Sequence, residues 1–118
     1  MGLDMYLHRQ TTNKKLRILK KLREQVGYEE VMYWRKSFRI HDWFCNRFPI
    51  ENCVEVKVSK KDLLDLIEYC KLLLKNEKPQ DDYYQLSYDL FKEDLKKLKK
   101  VIDKTDWDNE EISYYAWW

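Results

Sequence analysis

The sequence predicts an α+β domain in which a small, three-stranded antiparallel sheet is covered by about four helices. Three short segments alternate apolar with polar side chains, which is the pattern of a half-buried strand. The segments between them repeat apolar residues every three or four positions, as amphipathic helices do. Only two glycines and two prolines occur among 118 residues, which disfavours an all-β sandwich with its many tight turns. A chain of this length is expected to form a single domain, residues 1–118.

The first predicted elements are a strand over residues 3–8 and a helix over residues 14–26. Apolar residues in the strand alternate with a second set facing the other side: Asp4, Tyr6 and His8. Hydroxyl and amide side chains at residues 11–13 suit the start of a helix, because they can accept hydrogen bonds from the unpaired N–H groups of a first turn. Gly27 suits its end.

A second helix is predicted over residues 29–47, before Pro49. Its apolar stripe has helical spacing and comprises Val31, Trp34, Phe38, His41, Cys45 and Phe48. Residues 54–58 alternate valines with charges and are predicted to form a strand.

Two more helices, over residues 60–76 and 84–103, and a strand over residues 111–118 complete the prediction. Expected buried positions in the two helices include Leu63, Leu66, Ile67, Cys70, Leu98 and Ile102. The first and last strands are expected to pair or share one sheet. In the last strand Tyr115 and Trp117 should point the same way and dock into the core.

Charge is divided unevenly along the chain. Residues 1–50 carry 11 Lys and Arg against 5 Asp and Glu, whereas residues 51–118 carry 12 against 16. Such asymmetry can steer an acidic partner to one side of a protein, or it can reflect two helical faces that fold together. The three widely spaced cysteines are expected to be reduced thiols, and no apolar run is long enough to span a membrane. A soluble, intracellular protein is the expectation.

Catalytic signatures are missing from the sequence. It has no glycine-rich phosphate loop, no Ser or Cys in a nucleophile elbow and no H-E-x-x-H motif. Two histidines and scattered cysteines do not have the spacing of a zinc site. We therefore expect binding rather than catalysis, without a cofactor or metal.

Residues 33–44 form the strongest candidate binding surface, because aromatic rings and fixed cations are concentrated there. Rings stack on bases, and guanidinium groups match phosphates or carboxylates. With the basic helix, the predicted binding residues are Arg35, Lys36, Arg39, Trp43, Lys14, Arg17 and Lys21. Arg39 and Trp43, four residues apart on a helix, could stack. Weak, non-specific contact with nucleic acid is an alternative use of the basic helix.

A small-ligand pocket is the alternative site. His41 would act there as a base or ligand donor, with Asp4 as the group that orients it. The predicted pocket residues are Asp4, Tyr6, Arg35, His41 and Trp118. The competing interpretation makes His41 a core histidine bonded to backbone or to Asp4.

Three blocks of the chain stand out together: the opening Met1-Gly2-Leu3-Asp4-Met5-Tyr6-Leu7, the central Tyr33-Trp34-Arg35-Lys36 followed by Ile40-His41 and Trp43-Phe44, and the aromatic segment ending in Trp118. In this order they resemble a family of small bacteriophage and prophage proteins. The resemblance covers about a third of the chain. Such proteins often carry a Gly/Phe-rich segment before the last helix, which this chain lacks around residues 79–88.

The resemblance implies an accessory protein that binds a host macromolecule. The expected partner is a host bacterial protein or protein–nucleic acid complex, for example a component of a defence system such as a CRISPR nuclease. The alternatives are a nucleotide-binding or sequestering protein and an enzyme of unrecognised type. A homodimer is also left open, because Tyr and Trp are enriched at interfaces.

Overall fold

A computed structural model describes residues 2–12, 29–76 and 82–118 and confirms an α+β fold with an antiparallel sheet. The strands are β1 (Asp4–Thr11), β2 (Glu29–Arg35), β3 (Val56–Val58) and β4 (Glu110–Trp117), and they lie in the order β2-β1-β4-β3. The helices are α1 (Phe38–Arg47), α2 (Lys60–Asn76) and α3 (Asp82–Lys104). The described residues thus hold four strands and three helices, where three strands and four helices were predicted. The predicted first helix, with Lys14, Arg17 and Lys21, lies outside the described residues.

The two central strands are those in which alternation is clearest. β1 and β4 pair antiparallel along their whole length, as predicted for the first and last strands. Met5 and Leu7 are fully buried on one side, while Tyr6 on the other side is only half-buried. β1 runs three residues beyond the prediction, through residues 9–11. Thr11, expected at a helix start, instead ends the strand, and its Oγ1 donates to the Asn109 carbonyl at 3.0 Å.

The segment 29–35 is a strand and not the start of a helix. β2 pairs antiparallel with β1, with a bulge opposite Leu7 and His8. Met32 and Trp34 are buried, whereas Tyr33 and Arg35 are exposed, which is the two-residue alternation of a half-buried strand. The prediction failed because Val31, Trp34 and Phe38 also have helical spacing, and a short segment satisfies both patterns.

The helical part of the predicted segment is α1, which begins after Lys36. The φ of Lys36 is 55°, in the left-handed region, and turns the chain from β2 towards the helix. α1 buries Ile40 and Phe44 rather than the predicted stripe, and Phe38 is 47% exposed. The Phe44 ring lies parallel to that of Tyr114 in β4, with centroids 3.8 Å apart. This contact packs α1 on the buried face of the sheet.

The contacts divide the chain into two compact units, residues 1–59 with 105–118, and residues 60–104. The second unit consists of α2 and α3, and α2 matches its predicted bounds. Its buried side chains include the expected Leu63, Leu66, Ile67, Cys70, Leu98 and Ile102, and Val101 is buried as well. Burial, reinforced by Asp94, raises the pKa of the Cys70 thiol to about 12. Cys70 is therefore a neutral core thiol.

Candidate functional site: a tyrosine face on the sheet

The register of the sheet arranges the side chains of its second face in rows. Residues directly opposite each other on neighbouring strands point to the same face. The first row contains Arg35, Asp4 and Trp117. The second contains Tyr33, Tyr6 and Tyr115, and the third contains Glu30, His8, Ser113 and Lys57. Three tyrosines therefore cross three strands side by side.

The tyrosine row forms a continuous aromatic surface. The Tyr6 ring centroid lies 5.1 Å from that of Tyr33 and 5.9 Å from that of Tyr115. Tyr33 is 42% exposed and Trp117, one row away, is 54% exposed. We call Tyr6, Tyr33, Tyr115 and Trp117 the tyrosine face.

The closeness of Tyr6 and Tyr33 follows from the hydrogen-bond pattern between β1 and β2. The Lys36 amide donates to the Leu3 carbonyl at 2.7 Å, just beyond the end of the ladder. Because bonded and non-bonded pairs alternate in an antiparallel ladder, Tyr6 and Tyr33 form a non-hydrogen-bonded pair. Side chains approach most closely at such pairs, so the backbone itself brings these two rings together.

Asp4 lies in the row next to the three tyrosines and polarises them. The Tyr33 hydroxyl donates to Asp4 Oδ1 at 2.5 Å, and this bond is the largest cause of the raised pKa of Tyr33. The pKa of Tyr6 is raised as well, first by burial and then by the charges of Asp4 and Glu30. Both phenols are therefore neutral at physiological pH and lie in a negative potential.

His8, Glu55 and Ser113 lie on the opposite side of the tyrosine row from Asp4. The His8 ring stacks on Tyr6 with centroids 5.6 Å apart, and His8 is 7% exposed. Its Nδ1 and the Ser113 hydroxyl each contact a different oxygen of the Glu55 carboxylate. A serine nucleophile requires the histidine to lie between the hydroxyl and the carboxylate. Here the carboxylate lies in the middle, so the cluster orients His8 but does not activate Ser113.

His41 belongs to the packed side of the sheet. Its Nδ1 lies 2.7 Å from the Tyr114 hydroxyl, its Nε2 lies 3.4 Å from Cys45 Sγ, and its ring meets the Trp118 ring edge-on at 5.1 Å. Burial lowers the pKa of His41. Burial raises the pKa of the Cys45 thiol, and Asp42 adds to this. A reactive cysteine needs the opposite shift, so His41 and Cys45 are not arranged as a nucleophile and its base.

The structure separates the predicted pocket residues. Asp4, Tyr6 and Arg35 do share the tyrosine side of the sheet. His41 is held by Tyr114 rather than by Asp4, whose described hydrogen bond is with Tyr33. The predicted pairing of His41 with Asp4 is therefore wrong.

Trp118 is held at the end of β4. The Asn52 side chain bonds the Trp118 backbone twice, donating to its carbonyl at 3.1 Å and accepting from its amide at 3.0 Å. The Cys53 amide donates to the Ala116 carbonyl at 2.9 Å, and Cys53 has a φ of 62°. These bonds continue β4 to its last residues and so hold Trp117 on the tyrosine face.

The predicted cationic surface is distributed over three elements instead of one helix. Arg35 ends β2, Lys36 lies in the turn, and Arg39 and Trp43 lie in α1. The Arg47 guanidinium carbon lies 5.1 Å from the Trp43 ring centroid, a cation–π contact that was predicted for Arg39.

Tyr115 and Trp117 were missing from the predicted site, and Tyr33 was included only as part of the segment 33–44. Tyr115 and Trp117 do point the same way, but they lie opposite the core, and Tyr114 is the buried ring. The sequence of residues 111–117 indicated which face is buried, because the apolar Ile112 and Ala116 alternate with other residues and lie on the same side of the strand as Tyr114.

The described residues contain neither a metal-binding cluster nor a membrane-spanning helix. Within residues 2–12, 29–76 and 82–118, no three His, Cys, Asp or Glu side chains are grouped so that they could hold a metal ion. No helix in the described part of the chain has both the length and the apolar character needed to cross a bilayer.

Comparison of the chain with protein-family models, with curated proteins and with solved structures gave no match. The chemistry of the tyrosine face is therefore the basis for a functional proposal.

Proposed function

We propose that this chain is a phage or prophage accessory protein that acts without catalysis, by binding a host protein through the tyrosine face. The observation that carries the proposal is the row Tyr33–Tyr6–Tyr115 with Trp117 beside it, on the face opposite the core. The solvated face of an antiparallel sheet is normally polar. Tyr and Trp are the residues that most often dominate binding energy at protein interfaces.

A protein partner suits the charges around the rings better than a nucleic acid does. Asp4 and Glu30 lie beside the tyrosines, and Glu55 lies one row away. Carboxylates repel the phosphate backbone, whose neutralisation by cations supplies most of the affinity for nucleic acid. Tyr rings have little conformational entropy to lose and combine apolar area with a polar tip, which suits a protein surface.

A nucleotide ligand is the second candidate, and the position of Arg35 favours it. Arg35 lies in the same row as Asp4 and Trp117, and Lys36 follows it. A base could stack on the rings while these cations contact a phosphate. Thermal stabilisation of the protein by a nucleotide, lost in an Arg35→Gln variant, would favour this candidate over a protein partner.

The resemblance to phage and prophage proteins supports a bacterial host protein as the partner, encountered in the bacterial cytoplasm. A defence complex such as a CRISPR nuclease is the first candidate to test. In that case the protein would act as an inhibitor by occupying a surface that the complex needs.

The test is capture of a partner from bacterial lysate, its identification, and measurement of binding with purified components. A Tyr33→Ala/Trp117→Ala variant should lose at least about tenfold in affinity, since tenfold corresponds to about 1.4 kcal/mol and a single aromatic hot spot at an interface can contribute that much. Phe38→Ala is the matched control, because Phe38 is a similarly exposed aromatic on α1. Thermal unfolding should show that both variants are folded. Equal affinities for wild type and the double variant would refute the tyrosine face as the binding surface.

An Arg35→Ala/Arg39→Ala variant tests the surface predicted from the sequence. If this variant loses the partner while Tyr33→Ala/Trp117→Ala retains it, the partner binds the cations of residues 35–39 rather than the tyrosine face.

A further inference from the structure

We infer that the Asp4 end of the tyrosine face is a binding site for a guanidinium or ammonium group, so that the partner presents an arginine or lysine there. The inference deepens the proposed function and rests on it for the identity of the partner as a protein. It is carried by the arrangement of one carboxylate, two neighbouring tyrosines with tilted rings and an exposed tryptophan on adjacent positions of the sheet.

The Asp4 carboxylate is positioned but only partly used. Its Oδ1 accepts a hydrogen bond from the Tyr33 hydroxyl, and this bond fixes the orientation of the carboxylate. Arg35 lies directly opposite Asp4 in the register, yet the two form no ion pair within the part of the chain that the structure describes. The second oxygen, Oδ2, therefore retains acceptor capacity for a donor that comes from outside.

Aromatic rings lie on either side of this carboxylate. Trp117 pairs with Asp4 across β1 and β4, and Tyr6 and Tyr33 form the next row. A cation within about 6 Å of a ring centroid is attracted to the negative face of the ring. A planar guanidinium can stack on such a ring while one of its N–H groups bonds the carboxylate.

The local potential has the sign that a cation requires. Glu30 pairs with His8 one row beyond Tyr6 and is exposed. Burial is the largest cause of the raised pKa of Tyr6, and the charges of Asp4 and Glu30 raise it further. At Tyr33 the hydrogen bond to Asp4 is the largest cause of the raised pKa and the charge of Asp4 adds to it, whereas the lowering effect of Arg35 is the smallest. The anionic groups therefore dominate at the rings.

Arg35 allows a second, independent test of the cation site. It is the nearest cation in the register, so it competes with an incoming cation for Asp4. Removing the Asp4 charge should weaken cation binding, whereas removing the Arg35 charge should strengthen it. A site that merely accommodates apolar groups would respond to neither change.

The experiment is an NMR titration of the aromatic ring signals of the full chain. The probes are N-acetyl-argininamide, N-acetyl-norleucinamide as a neutral probe with a similar aliphatic stem, and uridine monophosphate as an anionic base. N-acetyl-argininamide should shift the Tyr6 and Tyr33 signals with an affinity on the order of millimolar. Salt at 0.5 M should reduce these shifts, because exposed charges are screened.

Three variants set the sign of the effect. Asp4→Asn should weaken binding of the arginine probe about threefold, the middle of the range for an exposed ion pair. Arg35→Gln should strengthen it by a similar factor. Asp103→Asn, an exposed carboxylate outside the sheet, is the control and should leave the affinity unchanged.

The inference is overturned if N-acetyl-norleucinamide shifts the same rings equally, if only uridine monophosphate shifts them, or if no probe does. The proposed function fails separately, if the tyrosine-face variants retain the captured partner. If no probe shifts the rings but Tyr33→Ala/Trp117→Ala loses the partner, the cation site is refuted while the binding surface stands.

Discussion

Replacing Tyr114 by Phe tests the packed side of the sheet most directly. Tyr114 is fully buried, and burial is the largest cause of its raised pKa. Its hydroxyl therefore stays protonated and can always donate a hydrogen bond. Burial also lowers the pKa of His41, which keeps the imidazole neutral with one N–H. The arrangement that satisfies both groups has the Tyr114 hydroxyl donating to Nδ1, and Nε2–H directed at Cys45 Sγ.

Tyr114→Phe keeps the ring stacked on Phe44 and removes only this donor. An acceptor left without its partner destabilises a protein by about 1 to 3 kcal/mol. His41 is only half-buried, so water can partly replace the hydroxyl, and the effect should be near the lower end, about 1 kcal/mol. For a chain of 118 residues this corresponds to a Tm lower by about 4 °C.

The variant should also change how stability depends on pH. The pKa of His41 in the folded state lies below the 6.5 of an unperturbed histidine, so between these two values the unfolded chain binds more protons. The His41 contribution to stability is therefore present above about pH 6.5 and is lost as the pH falls through the folded pKa. Without the Tyr114 donor the neutral ring is less favoured, so the pKa of His41 should rise and this loss should shrink.

The assays are thermal unfolding between pH 5 and 8 and an NMR titration of the His41 ring. Tyr33→Phe is the control, since it removes an exposed hydroxyl, and it should leave Tm and the His41 titration unchanged. A His41→Gln variant shows which part of the pH dependence belongs to His41. The reasoning is refuted if Tyr114→Phe and Tyr33→Phe are equally stable and His41 titrates near 6.5 in the wild type.

Two further predictions concern the α2–α3 unit. Leu66→Ala should lower the free energy of unfolding by about 3 kcal/mol in urea titrations, because Leu66 is fully buried. Leu72 is exposed, so Leu72→Ala should change the free energy of unfolding by less than about 0.5 kcal/mol. Equal effects of the two substitutions would contradict the assigned helix face. At pH 8 about one Cys70 thiol in ten thousand is ionised at a pKa of about 12, so a disulfide reagent should modify the exposed Cys45 and Cys53 first and Cys70 only as the chain unfolds. Three thiols reacting at one rate would show that Cys70 is accessible.

How far the fold is predictable from the sequence depends on which patterns are ambiguous. β1, β4 and α2 were recognised because residues 3–8, 111–118 and 60–76 each show a single period. β2 was missed because residues 29–35 fit both periods, and only pairing with β1 decides between them. Pairing joins residues about 30 positions apart, so no local pattern contains it.

The same ambiguity hid the candidate site. On a helix, Tyr33 and Arg35 would point about 200° apart, since each residue advances by about 100°. On a strand they point to the same face, beside Tyr6 and Asp4. The surface was therefore not recognised as a unit, although Asp4 and Tyr6 were correctly placed on one side of β1. The partner of His41 was missed for a related reason, because Tyr114 comes from a strand 73 residues away.

The two faces of the sheet use aromatic residues in opposite ways, and the difference bears on function. On the packed face, Tyr114 and Trp34 are buried against α1, so their apolar area stabilises the fold. On the other face, Tyr33 and Trp117 keep about half of their area in water, where the same rings contribute little to folding. Covering them with a partner would remove that area from water and add a favourable free energy that the isolated chain does not realise. The exposed rings are thus better explained by association than by folding.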